Sequence, residues 1–407
     1  MAIASDIDVA EARRRRREVR RRQVLRRRLT ALAVLALVAA TAIFGLLRLV
    51  TGSSAGAAIE LAPVRGALPP SQFRTPLPDE IRGVHISGPL MSLRGKFREY
   101  LDLRKAGLNA VEVDVKDETG NVSFVRGAPR IAVADHAALP YFNARAVARQ
   151  AHAAGVYLIG RVVTFEDPVT AAAHPELAIH RADGGIWKTS GGLAWLNPYS
   201  RAAWRYDVDV AVAAAQAGFD EIQFDYVRFP SDGDVSAMRF PGPRPQPREA
   251  TVPAFLRYAA SRLHTLGVRI SADVFGLSAT RDLGIGQRPA RIGRIVDAVY
   301  PMTYPSHYNA GEYNLPDPTA APAATVAHSL RDFRSALAGG RALLVPWLQD
   351  FSLGRTYSPA DVEAQIGSAR TARTGGFMLW NAGGLYTRGA LSGSAARGLP
   401  ALSAPQL

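Results

Sequence analysis

The chain has 407 residues, 48% of them hydrophobic, and no cysteine, which excludes a disulfide framework, a thiolate metal site and a cysteine nucleophile. Its formal net charge is +14, but residues 1–28 hold eleven Arg against Asp6, Asp8, Glu11 and Glu18, a net +7 in the tail alone. The rest is only mildly basic over a long segment, so no nucleic-acid partner is predicted.

Residues 29–47 read LTALAVLALVAATAIFGLL. At ~1.5 Å per residue this uncharged run matches the ~30 Å hydrocarbon core of a bilayer. The arginine clusters directly before it predict a cytoplasmic tail at 1–28, a single-pass anchor at 29–50 and everything beyond on the outer side of the cell membrane. Cleavage after Ala55-Gly56-Ala57, a small-residue A-x-A site, is the competing reading. Residues 51–80 are rich in Gly, Ser, Ala and Pro and predict a spacer.

From residue 81 onward, β-branched runs alternate with amphipathic Ala- and Arg-rich stretches, the pattern of βα units around a parallel sheet. Strands are predicted at 83–87, 110–116, 156–162, 221–227, 269–275, 298–303, 342–348 and 376–380. Helices are predicted at 96–106, 144–154, 201–217, 253–266, 325–337 and 359–371. Gly107, Gly155, Gly218 and Gly267 stand between helix and strand, where a left-handed C-cap is formed most easily without a Cβ. No Gly-rich phosphate turn follows the first strand, which disfavours a doubly wound sheet. The predicted fold is therefore an α/β (β/α)8 TIM barrel over residues 81–391, followed by a flexible tail at 392–407. Its long loops, 164–200 and 229–250, follow strands three and four on the C-terminal face, where active sites of such barrels are built.

Period-two alternation places charged groups toward the barrel interior. Strand two, VEVDVK, sends Val111, Val113 and Val115 to the helices and Glu112, Asp114 and Lys116 inward. Strand four, EIQFDYVRFP, puts Gln223 and Asp225 on one phase. Strand five, RISADVFG, carries Asp273 late, and strand three ends in the cation Arg161. Acids in strands covered on both sides require a partner or a purpose. Paired carboxylates are what glycoside hydrolysis uses: one donates a proton to the leaving oxygen while the other attacks or activates water. Asp225, Asp273 and Asp114 are the catalytic candidates, and an Arg-linked ring that merely closes the barrel is the structural alternative. Sugar rings stack on aromatic faces, so Trp187 and Trp195 in the third loop, Tyr226, Tyr304, Trp347 and Trp380 are predicted to line a cleft with Arg161 and Arg228. The eight His form no H-x-H or H-E-x-x-H pair, so neither a histidine metal site nor a cofactor is predicted, although an Asp-based Mg²⁺ site stays open. Nothing in the sequence sets an oligomeric state.

The segments FDYVRFPSDG, VDVKDETG, GRVVTFEDP, WLNP, SADVFG and YPMTYPSHY, spread over residues 80–390, resemble a bacterial glycosyl hydrolase domain family of unknown function in the α-amylase-like TIM-barrel superfamily. The resemblance implies a polysaccharide substrate and a nucleophile at the end of strand four, here Asp225. The acid of the α-amylase-type arrangement is commonly a Glu at the end of strand five, whereas this chain has Asp273. A catalytically inactive glycan-binding barrel at the cell surface is the alternative function, and a metal-dependent hydrolase the third.

Overall fold

The computed structural model describes residues 73–390. Eight parallel strands form a closed barrel: β1 (Ile81–Ile86), β2 (Ala110–Lys116), β3 (Tyr157–Val163), β4 (Glu221–Asp225), β5 (Arg269–Phe275), β6 (Ala298–Met302), β7 in two pieces (Leu343–Leu344 and Trp347–Gln349) and β8 (Gly376–Trp380). Each strand pairs with the next, and β8 closes the ring onto β1 through Ile81–Gly376 and Gly83–Met378. The main helices are α1 (Lys96–Leu101), α2 (Ala144–Ala153), α3 (Arg201–Ala217), α4 (Arg248–Leu263), α5 (Pro289–Ile292), α6 (Pro322–Ala336) and α7 (Pro359–Thr371). Val111, Val113 and Val115 join the outer core between strands and helices, while Tyr157, Ile159, Tyr300, Trp347 and Met378 fill the barrel. The four predicted glycine caps have φ of +103°, +67°, +112° and +66° at Gly107, Gly155, Gly218 and Gly267.

Departures from the predicted elements have local causes. β4 stops at Asp225 because Tyr226 turns into the left-handed region at φ +49°. β7 is interrupted at Val345-Pro346, where the proline has no N–H to give the ladder. Helix α4 starts at Arg248, ahead of Pro253, and the Glu249 carbonyl that the proline leaves without a helical donor accepts from Arg291 Nη1 at 3.4 Å.

Lys116 is a correction to strict alternation. The register steps from Asp114–Arg161 to Lys116–Val162, a bulge that turns Lys116 out of the barrel and into the helix layer. There its Nζ lies 2.6 Å from Asp207 Oδ1 of α3 and 2.7 Å from Asp167 Oδ2, and it donates to the Thr164 carbonyl at 3.1 Å.

The tail at 1–28, the 29–50 run and the segment at 392–407 lie outside the described residues. Among the described residues no helix is long and apolar enough to cross a membrane. The end of the predicted spacer is fixed rather than free: Arg74 donates to Ala215 O, Thr75 Oγ1 to Asp220 Oδ1, and Arg269 Nη1 to Thr75 O. These contacts run along the N-terminal ends of β4 and β5, opposite the mouth.

Candidate active site at the C-terminal mouth

Strand register brings the predicted acids together. Asp114 stands beside Arg161 across β2 and β3, Val163 beside Asp225 across β3 and β4, and Asp273 follows on β5. Arg161, 3% exposed, is the hub. Its Nη1 donates to Asp114 Oδ1 at 2.7 Å, while Nε and Nη2 both donate to Asp225 Oδ2 at 2.9 and 2.7 Å. The other Asp225 oxygen accepts the Tyr226 backbone N–H at 2.7 Å. That contact depends on the positive φ of Tyr226, a strained conformation for a residue with a Cβ and one that clusters at functional sites.

Asp273 is held differently. Its Oδ1 accepts Gln223 Nε2 at 2.6 Å and Trp347 Nε1 at 2.7 Å. Burial, then the charges of Asp225 and Glu112, push its carboxyl well above the usual carboxylate range. On the other side of Arg161, burial alone would raise Asp114, but His85 and Arg161 outweigh it and hold that carboxyl at about 2. Asp114 therefore stays charged and has no proton to give.

His85, which sequence reasoning did not place in the site, sits between two acids. Its Nδ1 is 2.7 Å from Glu112 Oε2 and its Nε2 is 3.5 Å from Asp114 Oδ2. Burial works against the imidazolium, yet Asp114 and Glu112 push it up to about 9, while burial raises the Glu112 carboxyl. A histidine with a raised folded-state pKa contributes stability that is complete below its unfolded value of ~6.5 and disappears as pH climbs through 9. Thermal melts of the full chain are expected to show this loss between pH 6.5 and 9, and His85→Gln should flatten that part of the profile.

The third loop is not open. Isolated β-bridges at Glu166–Trp195, Ala178–Leu196, His180–Ile186 and Lys188–Ala194 fold it back on itself. Trp187 is 2% and Trp195 0% exposed, and Trp187 Nε1 donates to the Asp234 carbonyl. The prediction that these two rings stack on sugar is therefore corrected, because both are packed into the outer core. Tyr304 and Trp347 are likewise buried in the barrel interior rather than lining an open cleft. Tyr226 and Trp380 are half-buried, and so are Phe275, Met302 and Phe351, which were not predicted. Trp380 packs on His85 with centroids 4.3 Å apart and faces Arg161 at 5.3 Å. Arg228, 7% exposed, lies over the rings of Phe275, Trp195 and Tyr226 at 4.7, 4.9 and 5.0 Å.

One acid at the mouth was missed altogether. Glu166, three residues beyond β3 in the GRVVTFEDP segment, is 5% exposed, and its carboxyl has no hydrogen bond or ion pair among the described residues. Burial pushes its carboxyl up to about 7; Arg228 opposes the shift and Asp232, Glu118 and Asp225 add to it. Its place between Phe165 and Asp167, which face the helices, shows only in the structure. Among the described residues no group of three or more His, Asp or Glu is arranged to hold a metal ion.

Residues 83–386 match the model of the family described as "Putative glycosyl hydrolase domain". No curated protein matches the chain. Among solved structures, the glycoside hydrolase domain of PgaB (BpsB) from Bordetella bronchiseptica is 14% identical, with 74% of this chain and 94% of that one covered at a TM-score of 0.53. A hypothetical protein from Ruminiclostridium thermocellum is 34% identical over 47% of this chain and 97% of its own, with a TM-score of 0.43. The catalytic domain of a beta-amylase from Paenibacillus polymyxa is 12% identical, covering 77% and 95%, with a TM-score of 0.49.

Proposed function

The chain belongs to that glycosyl hydrolase domain family, and from this premise we propose that it cleaves glycosidic bonds of an envelope or extracellular polysaccharide with Asp225 facing the anomeric carbon. The observation that carries the reading is the pair of neighbouring carboxyls in opposite surroundings. Asp225 is clamped by the Arg161 fork and a backbone N–H, while burial pushes the Asp273 carboxyl well above the usual carboxylate range. A carboxyl group fixed by cationic and amide donors, set among mouth carboxyls that burial pushes up, is what acid-base hydrolysis of an acetal needs. Asp225 acts as nucleophile if its carboxyl partner stands ~5 Å away across the bond, or as base toward water if the gap is ~6.5–9.5 Å. Half-buried Tyr226, Phe275 and Trp380 supply apolar faces for sugar C–H groups. A purely glycan-binding barrel gains nothing from an acid pair of this kind, and two of the rings it would use, Trp187 and Trp195, are buried.

The test is release of reducing ends by the full chain from a panel of bacterial envelope and extracellular polysaccharides, run beside Asp225→Asn. Hydrolysis by the wild type alone supports the reading. Binding of a glycan with no cleavage anywhere in the panel overturns it in favour of a lectin-like barrel.

We also propose that residues 29–50 anchor the chain with the barrel outside, on the strength of the apolar run and its arginine flank. A reporter fused after residue 51 is expected to be active only outside the cytoplasm, with the intact protein sedimenting with membranes. A soluble native protein beginning near Ala58 would establish cleavage instead.

A further inference from the structure

We propose that Glu166, and not Asp273, is the acid that delivers the proton to the departing glycosidic oxygen, an assignment that rests on the hydrolase reading above. The placement comes from the backbone. Thr164 N–H donates to the Asp225 carbonyl at 2.8 Å, so the chain leaving β3 passes directly beside the Asp225 position. It is then clamped against the returning strand of the same loop, with Leu196 N–H on the Phe165 carbonyl at 2.8 Å and Asp167 N–H on the Ala194 carbonyl at 3.1 Å. Phe165 points into the outer core against Phe255, and Asp167 points the same way onto Lys116. In extended backbone, alternate residues face opposite sides, so Glu166 between them faces the mouth. The largest charges acting on it come from mouth groups, Arg228, Asp232, Glu118 and Asp225, with the Tyr226 phenol also nearby.

Among the acids of the mouth, Glu166 alone combines burial, freedom from any hydrogen bond and a proton held near neutrality. Asp114 is locked in its charged form on Arg161. The Oδ1 of Asp273 is fixed by two donors, Gln223 and Trp347, in a group only 2% exposed, which makes it a positioning residue that secures the floor under Asp225. The step is balanced without any other reactant. The Glu166 proton passes to the glycosidic oxygen as the C1–O bond breaks, and the bonding electron pair leaves with that oxygen as an alcohol. C1 receives an oxygen from Asp225 or from a water that Asp225 deprotonates, and Glu166 is left as carboxylate. It regains its proton from the water that displaces Asp225 in the first course, or from solvent in the second.

The experiment compares the full chain with its Glu166→Gln and Asp273→Asn variants. The first readout needs no substrate. A carboxyl raised on folding loses stability as pH rises from its unfolded value through the folded one, so Glu166→Gln is expected to melt higher than wild type at pH 8 and equally at pH 4. The second uses the polysaccharide identified by the panel and the 2,4-dinitrophenyl glycoside of the same sugar. Glu166→Gln should lose about 10²-fold or more in kcat/KM on the polysaccharide and far less on the activated glycoside, whose leaving group needs no proton. It should also lose the basic limb of the pH profile, whereas Asp273→Asn should keep that limb. The donor assignment is overturned, with the hydrolase reading intact, if Glu166→Gln keeps both the limb and the turnover, or if it gains no stability at pH 8. A wild-type chain inert on every glycan sinks the hydrolase reading itself and the donor role with it, whatever the melting curves show.

Discussion

Asp225→Asn is expected to lower turnover on the identified polysaccharide by about 10³-fold or more, equivalent to ~4 kcal/mol of transition-state stabilisation, while leaving the barrel folded. The amide has the shape of the carboxylate but lacks the charge that faces a developing oxocarbenium centre. It also disturbs the local bonding. Oδ2 accepts two Arg161 donors and Oδ1 accepts the Tyr226 N–H, so wherever the NH₂ is placed it meets a donor. Arg161 keeps its bond to Asp114, and only part of one ion pair is lost. Turnover and thermal melts measured together separate the two effects: a large fall in kcat with a small fall in Tm is the expected pattern. Near-normal turnover would move the role elsewhere. Asp114 would be the next candidate, because the Asp117 Oδ1 is already occupied by the Thr119 and Asn121 N–H groups in a turn.

Much of this site was legible because side chains along a strand alternate between its two faces. The period of two was enough to put Glu112, Asp114, Arg161, Asp225 and Asp273 inside the barrel, and the helix–Gly–strand joints were enough to count the units. What failed has a common origin in contacts between residues far apart in sequence. Lys116 follows the alternation on paper, but the bulge after Asp114 turns it outward to partners 51 and 91 residues further along, Asp167 and Asp207. A tryptophan in a loop has the same composition whether it is open or packed, and only the bridges that fold residues 166–196 back reveal that Trp187 and Trp195 are packed. Glu166 went unnoticed for the converse reason. It lies beyond the end of β3, where no strand pattern flags it, and its burial within reach of the charges of Arg228 and Asp225 comes from contacts distant in sequence.

Replacing Lys116 by Ala is expected to be the most destabilising single change near the site, on the order of 3–5 kcal/mol, because it strands buried carboxylates. Lys116, Asp167 and Asp207 are each 0% exposed. Even with Lys116 present, burial pushes Asp207 up to about 7. Without the ammonium, the main force opposing that shift at Asp207 is gone. A carboxyl raised on folding weakens the fold as pH rises from its unfolded value, so the loss should be larger at pH 8 than at pH 5. Asp167 also accepts the Thr170 N–H at 2.7 Å, capping the helical turn that follows Glu166, so its displacement should be felt at the mouth as well as in the core. Pairing Lys116→Met with Asp207→Asn removes one charge of each sign and should recover part of the stability, as replacement of buried ion pairs often does. Denaturant unfolding at the two pH values decides the matter: a cost under about 1 kcal/mol at pH 8 would mean that these three side chains do not share a dry site.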